Sequence, residues 1–138
     1  MLNTSVLLIT LVILVSLESR AATQNNEPVI NKGHATAYCL PGTTASGLPV
    51  QPGVCAMNTQ VVKEQNLMGK YVALYQRLPD GSQGQHIGTY LIADTGCKKS
   101  VIDVWFKDLE QCQQFMNRVY EDGCKGKIYY IIQEGETE

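Results

Sequence analysis

The chain has 138 residues, is 44% hydrophobic and 17% charged, and carries a formal net charge of −2. That is enough apolar material to bury one core, and too much for a disordered chain. No basic stripe interrupts the slightly acidic balance, which argues against nucleic acid as the main partner.

Val6 to Leu17 is an almost unbroken apolar run, VLLITLVILVSL. It is shorter than the roughly 20 residues that a membrane-spanning helix needs. Small residues follow in Ser19-Arg20-Ala21-Ala22, where a cleavage site would lie. Residues 1–22 therefore read as a secretory signal peptide. An uncleaved anchor is the alternative, because no Lys or Arg precedes the run, and membrane contact is expected only through this segment. Export would place Cys39, Cys55, Cys97, Cys112 and Cys124 in oxidising surroundings, where thiols pair. An odd count leaves at least one free, modified or joined to another chain, so a disulfide-linked dimer is one open outcome. With no CxxC and only two histidines, neither a zinc site nor any other cofactor is expected.

Residues 23–32 are polar and turn-rich and read as a flexible leader. The folded domain is expected over 33–133, with an acidic tail at 134–138. Gly33 to Cys39 alternates as a short strand. Pro41 to Gly53 holds three glycines and three prolines, which exclude a regular element. Val54 to Met57 is a short buried strand, and Thr59 to Asn66 is one or two helical turns with Thr59 as a cap. Tyr71 to Tyr75 and Gln85 to Ala93 form a hairpin across Pro79-Asp80-Gly81, and Val101 to Phe106 is a further strand. Asp108 and Gln111 have capping-box spacing at the head of a helix over about 108–122. Its apolar stripe is Leu109, Cys112, Phe115, Met116, Val119 and Tyr120. Gly126 to Ile132 closes the domain as a strand. Six short strands and one clear helix predict a mainly β fold, a small closed barrel.

Two aspartates stand out. Asp94 ends an apolar run at Asp94-Thr95-Gly96, and Asp103 lies inside Val101-Ile102-Asp103-Val104-Trp105. A carboxylate among β-branched residues is costly to bury unless it is paired or used. Two carboxyls at the ends of neighbouring strands suit acid/base chemistry on a sugar linkage. Strand alternation puts Asp103 on one face with Val101 and Trp105. Each residue also has a plainer role. Asp94 suits an Asx-turn. Trp105 and Tyr38 can be core rather than sugar-stacking rings, and Lys70 can be simply solvated. Cys55 and Cys97 read as disulfide partners or buried thiols, and His34 and His86 have no supporting motif for a role as base.

Taken in order, His34-Ala35-Thr36-Ala37-Tyr38-Cys39, Thr44-Ala45-Ser46-Gly47, Pro52 to Asn58, Asp94-Thr95-Gly96 and Ile102-Asp103-Val104-Trp105 carry a resemblance. The chain resembles the three-aspartate ("3D") domain of bacterial cell-wall proteins over roughly Gly33 to Gln133. The resemblance implies a double-psi β-barrel, related to membrane-bound lytic transglycosylase A and rare lipoprotein A and more distantly to barwin and the expansins. It implies a secreted peptidoglycan-cleaving enzyme that leaves a 1,6-anhydromuramyl end. Asp103 would be the single general acid and base, with Asp94 raising its proton affinity and orienting it. Asn58, Thr95 and Gly96 would support the site, and Thr36, Tyr38, Lys70 and Trp105 would contact substrate. Asn58 stands where the family has its first aspartate, which removes one like charge, and Cys97 replaces the family's second glycine. The resemblance also implies two alternatives, a non-catalytic barrel that binds cell-wall glycan as expansin-like proteins do, and a barwin-like protein-binding module.

Overall fold

The computed structural model describes residues 27–134. The expected signal segment and the tail beyond residue 134 lie outside the described residues. No helix among those described is long and apolar enough to cross a membrane.

Six strands and two helices follow one another as β1 (Asn31–Tyr38), β2 (Val54–Met57), α1 (Thr59–Gln65), β3 (Tyr71–Arg77), β4 (Gln83–Thr95), β5 (Val101–Trp105), α2 (Leu109–Tyr120) and β6 (Lys127–Gln133). A single 3-10 turn, Glu121–Gly123, separates α2 from β6. The strands pair in the order β1-β5-β2-β4-β3-β6, and β6 returns to β1, so the sheet closes and leaves no edge. Two pairs are parallel, β1 with β5 and β2 with β4; the others are antiparallel. Exchanging β1 with β4, β2 with β5 and β3 with β6 reproduces the same neighbours and the same directions. The two halves of the chain are thus interleaved, each lending strands between those of the other. This is the wiring of a double-psi-like barrel.

Strand alternation fills the interior. Ala35, Cys55, Met57, Val72, Leu74, Ile87, Ile92, Ile102, Val104 and Ile128 face inward, and Phe115 and Val119 of α2 join the same cluster. The Phe115 ring packs at 5.1 Å from Phe106 and edge-on at 6.1 Å from Tyr90. A second, smaller cluster lies outside the barrel, where Val54, Ala93 and Trp105 pack with Tyr38, Val50 and Leu91. The loop between β1 and β2 adjoins it: the Trp105 indole N–H donates to Leu40 O at 2.9 Å. As its prolines and glycines require, this loop holds only one isolated bridge, Thr43 to Pro49.

Several local expectations are corrected. The domain's first strand starts at Asn31, two positions before Gly33, because its opening residues pair with β6. Among the described residues there are two helices rather than one. The cap of α1 is Asn58, not Thr59: Asn58 Oδ1 accepts from Gln60 N and Val61 N at 3.1 and 3.2 Å. Asp108 does cap α2, accepting from Gln111 N at 2.9 Å. The stripe of α2 is narrower than its composition predicts. Cys112, Phe115 and Val119 are buried, whereas Leu109 and Tyr120 are 76% and 55% exposed. Only the arc facing the barrel is covered, and both outliers sit at the ends of the helix.

Candidate functional site

Four neighbouring strands bring four side chains into one row. Thr36 on β1 is in register with Asp103 on β5, Asp103 with Ala56 on β2, and Ala56 with Asp94 on β4. Inward alternation of Ile102 and Val104 turns Asp103 outward. The two aspartates flank Ala56, so their Cα atoms stand two strand spacings apart, about 10 Å. A small residue at the centre leaves room between them. The resulting open cleft, about 500 Å³, is lined by Thr36, Tyr38, Ala56, Asp94, Thr95, Gly96, Cys97, Lys98, Val101 and Asp103.

Asp94 reaches this face because of an irregularity. The β2–β4 ladder pairs Cys55 with Ile92 but Ala56 with Asp94, which leaves Ala93 as an extra residue. In a regular ladder Ala93 would oppose Ala56, and Asp94 would oppose the inward Met57, in the core. The bulge turns the carboxylate to the cleft instead. Asp94 is then held firmly. Its Oδ1 accepts from Ala45 N and from Thr95 N, both at 2.9 Å, and the Tyr38 hydroxyl donates to Oδ2 at 3.5 Å. Ser46 N donates to Ala93 O at 3.0 Å, so the Thr44-Ala45-Ser46-Gly47 segment serves as a backbone clasp on the bulge.

Asp103 is held differently. Its Oδ1 accepts from the Thr36 hydroxyl at 2.8 Å. Burial pushes its carboxyl above the ordinary carboxylate range; the Thr36 hydrogen bond opposes this, and the charge of Asp94 adds to it. Burial, then Asp94 and Asp103, push the Tyr38 phenol upward, so it remains a donor at neutral pH. Burial, then Asp103, push the Cys97 thiol up to about 11, which leaves it protonated and a poor nucleophile near neutrality. Cys55 is fully buried in the barrel, and burial raises its thiol further.

Of the residues singled out from sequence, Asp94, Asp103, Thr36, Tyr38, Thr95 and Gly96 meet in the cleft. Gly96 has φ +126°, a conformation that suits glycine, and its N–H donates to Met57 O at 3.1 Å. Asn58, Lys70 and Trp105 do not line it. Asn58 caps α1 and donates through Nδ2 to Cys97 O at 3.0 Å, bracing the β4–β5 loop from behind. Lys70 pairs at the surface with Glu134 at 2.9 Å, so the acidic tail is anchored at its first residue. Trp105 shares the outward face of Asp103 as alternation predicts, but it packs in the outer cluster and borders a separate pocket where α2 meets β4. Sequence reasoning missed Ala56 and Lys98, gave Cys97 no place in the cleft, and set Val101 on the face of Asp103 without assigning it to the site. Cys97 and Lys98 were within reach, because they follow the Asp94-Thr95-Gly96 turn directly. Ala56 carried no signal beyond its small size.

The cap makes Asn58 testable. Asn58→Ala is expected to lower stability by about 1–2 kcal/mol in denaturant unfolding, through the lost cap and the unpaired Cys97 carbonyl. Asn58→Asp should recover the cap but not the bond to Cys97, and so fall between the two.

No family model matches the chain, and no curated protein matches it. Solved structures do. The apo expansin of Clavibacter michiganensis superposes with a TM-score of 0.51 at 17% identity, over 80% of this chain and 53% of that one. A mutant of that expansin in complex with cellohexaose gives 0.47 at 17% identity, over 80% and 52%. The Streptomyces papain inhibitor gives 0.47 at 16% identity, over 75% of this chain and 94% of that one. The chain thus has an expansin-like barrel fold and spans about half the length of the expansin it matches.

Proposed function

We propose that this is an exported cell-wall protein whose Asp94–Asp103 cleft binds glycan. The single observation that carries the reading is the row Thr36–Asp103–Ala56–Asp94, which lines an open groove on a closed barrel. Fixed carboxylate acceptors, hydroxyls and one ammonium group, set around a methyl floor, suit the close-spaced hydroxyls of a sugar chain. The ordered motifs shared with three-aspartate domains point to peptidoglycan as the glycan, and the apolar run at Val6 to Leu17 points to export.

The test is co-sedimentation of the purified protein with insoluble peptidoglycan. Wild type should be retained, and Asp94→Ala should bind about tenfold more weakly, because the Ala45 and Thr95 amides lose their acceptor and the cleft wall loosens. Wild-type protein that stays in the supernatant with peptidoglycan and with cellulose, across pH 5–8, would overturn the reading.

A second reading is favoured by one specific observation, the upward shift of Asp103. A carboxyl that holds its proton more tightly than usual can protonate a glycosidic oxygen. The carboxylate left behind can then take the proton of the muramyl C6 hydroxyl as that oxygen closes on C1, giving the 1,6-anhydro end without water. Asp94 supports Asp103 by its charge. The former first-aspartate position contributes nothing directly, since the Asn58 side chain is committed to the helix cap.

A further inference from the structure

All five cysteines are free thiols in this structure, so the pairing expected from the sequence is not formed. The unassigned chemistry lies instead in a group of cations on another arc of the barrel. We propose that Lys32, Arg77, Lys125 and Lys127 form a binding site for the phosphoryl group of a small phosphate-bearing ligand, separate from the aspartate cleft.

Strand register brings these residues together. Lys32 of β1 lies opposite Tyr129 of β6, and Tyr75 of β3 lies opposite Tyr129 on the other side. Ile128 is fully buried, so Lys127 and Tyr129 on either side of it point outward. Arg77 follows the buried Gln76 and points outward on the neighbouring strand. Lys125 comes from the residues after the 3-10 turn. The four cations line one open cavity of about 290 Å³, and no Asp or Glu lines it. The cleft occupies the outer face of β1, β5, β2 and β4, whereas this cavity lies over β3, β6 and β1. Lys32 stands about 13 Å along β1 from Thr36.

The charges are uncompensated. Among the described residues the one ion pair is Lys70 with Glu134, so none of the four has a carboxylate partner. Asp80, in the adjoining β3–β4 turn, is occupied within that turn by Ser82, accepting from its N and Oγ at 2.9 and 2.6 Å. Arg77 adds an independent sign. Its guanidinium lies 5.8 Å over the Tyr129 ring and donates through Nη2 to Gly33 O at 3.2 Å. Its Nε is buried and has no acceptor. A buried donor without a partner is rare in a native fold and calls for an acceptor that the chain does not supply here. A phosphoryl group carries between one and two negative charges near neutrality and three acceptor oxygens, which match a guanidinium fork with ammonium groups around it. A second hollow shares Lys32, Gly81 and Tyr129 with the cavity and continues to Ile30 and Gln83. It offers room for the organic part of an ester. The proposal does not rest on what the cleft binds.

The experiment titrates the isotope-labelled full chain with inorganic phosphate at neutral pH, reading amide and arginine Nε–H resonances against sodium chloride of equal ionic strength. Saturable shifts are expected at Arg77 Nε–H and at the amides of Lys125 and Lys127, with acetate binding several-fold more weakly. The double variant Lys125→Gln/Lys127→Gln should bind phosphate about tenfold more weakly or worse, since each lost charged donor removes a strong hydrogen bond. Both side chains are exposed, so this variant keeps the fold. Arg77→Lys should also weaken binding, because an ammonium keeps the charge and loses the fork. Asp94→Ala should bind phosphate like wild type. Glycerol phosphate, as a second titrant, distinguishes the sources: tighter binding with shifts reaching Ile30 and Gln83 identifies an ester, and equal binding identifies free phosphate. Shifts reproduced by chloride, acetate binding as tightly as phosphate, shifts centred on Lys98 and Lys99, or undiminished binding in the double lysine variant would each overturn the proposal.

Discussion

Asp103→Asn is expected to lower release of anhydromuramyl products from peptidoglycan by about a hundredfold or more, the usual contribution of a positioned general acid and base. Binding to the same glycan should persist, because asparagine keeps the shape and can still accept from the Thr36 hydroxyl. The pairing of lost turnover with retained binding separates catalysis from simple adhesion. If wild type binds but releases no anhydro product at any pH, the protein is the non-catalytic barrel.

The same substitution carries a stability signature of known sign. Folding raises the Asp103 pKa above its ordinary 3.8, so the folded state holds this proton more tightly than the unfolded chain does. The stabilisation from this group is fully present below about pH 4 and is lost as pH rises through the folded pKa. The stability of wild type relative to Asp103→Asn should therefore fall over that interval and then level off. Urea unfolding of both proteins at a series of pH values measures it. A relative stability that climbs with pH would mean the carboxylate is stabilised rather than strained by its surroundings.

Trp105→Ala is expected to destabilise the fold by about 3–5 kcal/mol, the range for removing a large buried aromatic. Trp105 is 9% exposed, packs with Val54 and Ala93, and anchors the β1–β2 loop through Leu40 O. Because it is the sole tryptophan, its fluorescence reports this site directly. Emission should be blue-shifted in the native state, red-shift on unfolding, and stay unchanged when glycan is added. Near-wild-type stability combined with lost glycan binding would show instead that the ring meets the ligand.

Trp105 shows where the linear pattern stops being informative. Alternation placed it on the face of Asp103, and it is on that face. Whether that face was bare or covered depended on a loop whose path no periodicity describes. Asn58 teaches a related lesson. Its likeness to a family aspartate suggested a role in the site, yet its oxygen caps a helix and its amide holds a loop. Both are local geometries set by where α1 starts. Lys70 drew attention as a substrate contact and is occupied by Glu134.

By itself the sequence determined the strand-rich class, the six strand positions to within a few residues, the helix after Asp108, and the outward direction of Asp103. Those properties follow from period-two alternation, turn residues and capping, all of which act over a few neighbours. Tertiary structure alone decided the closed order of the strands, the bulge at Ala93 that frees Asp94 from the core, and the choice of Ala56 as the floor between two acids. Each of these depends on pairing between segments far apart in the chain, where one extra residue reverses the side on which every later side chain falls.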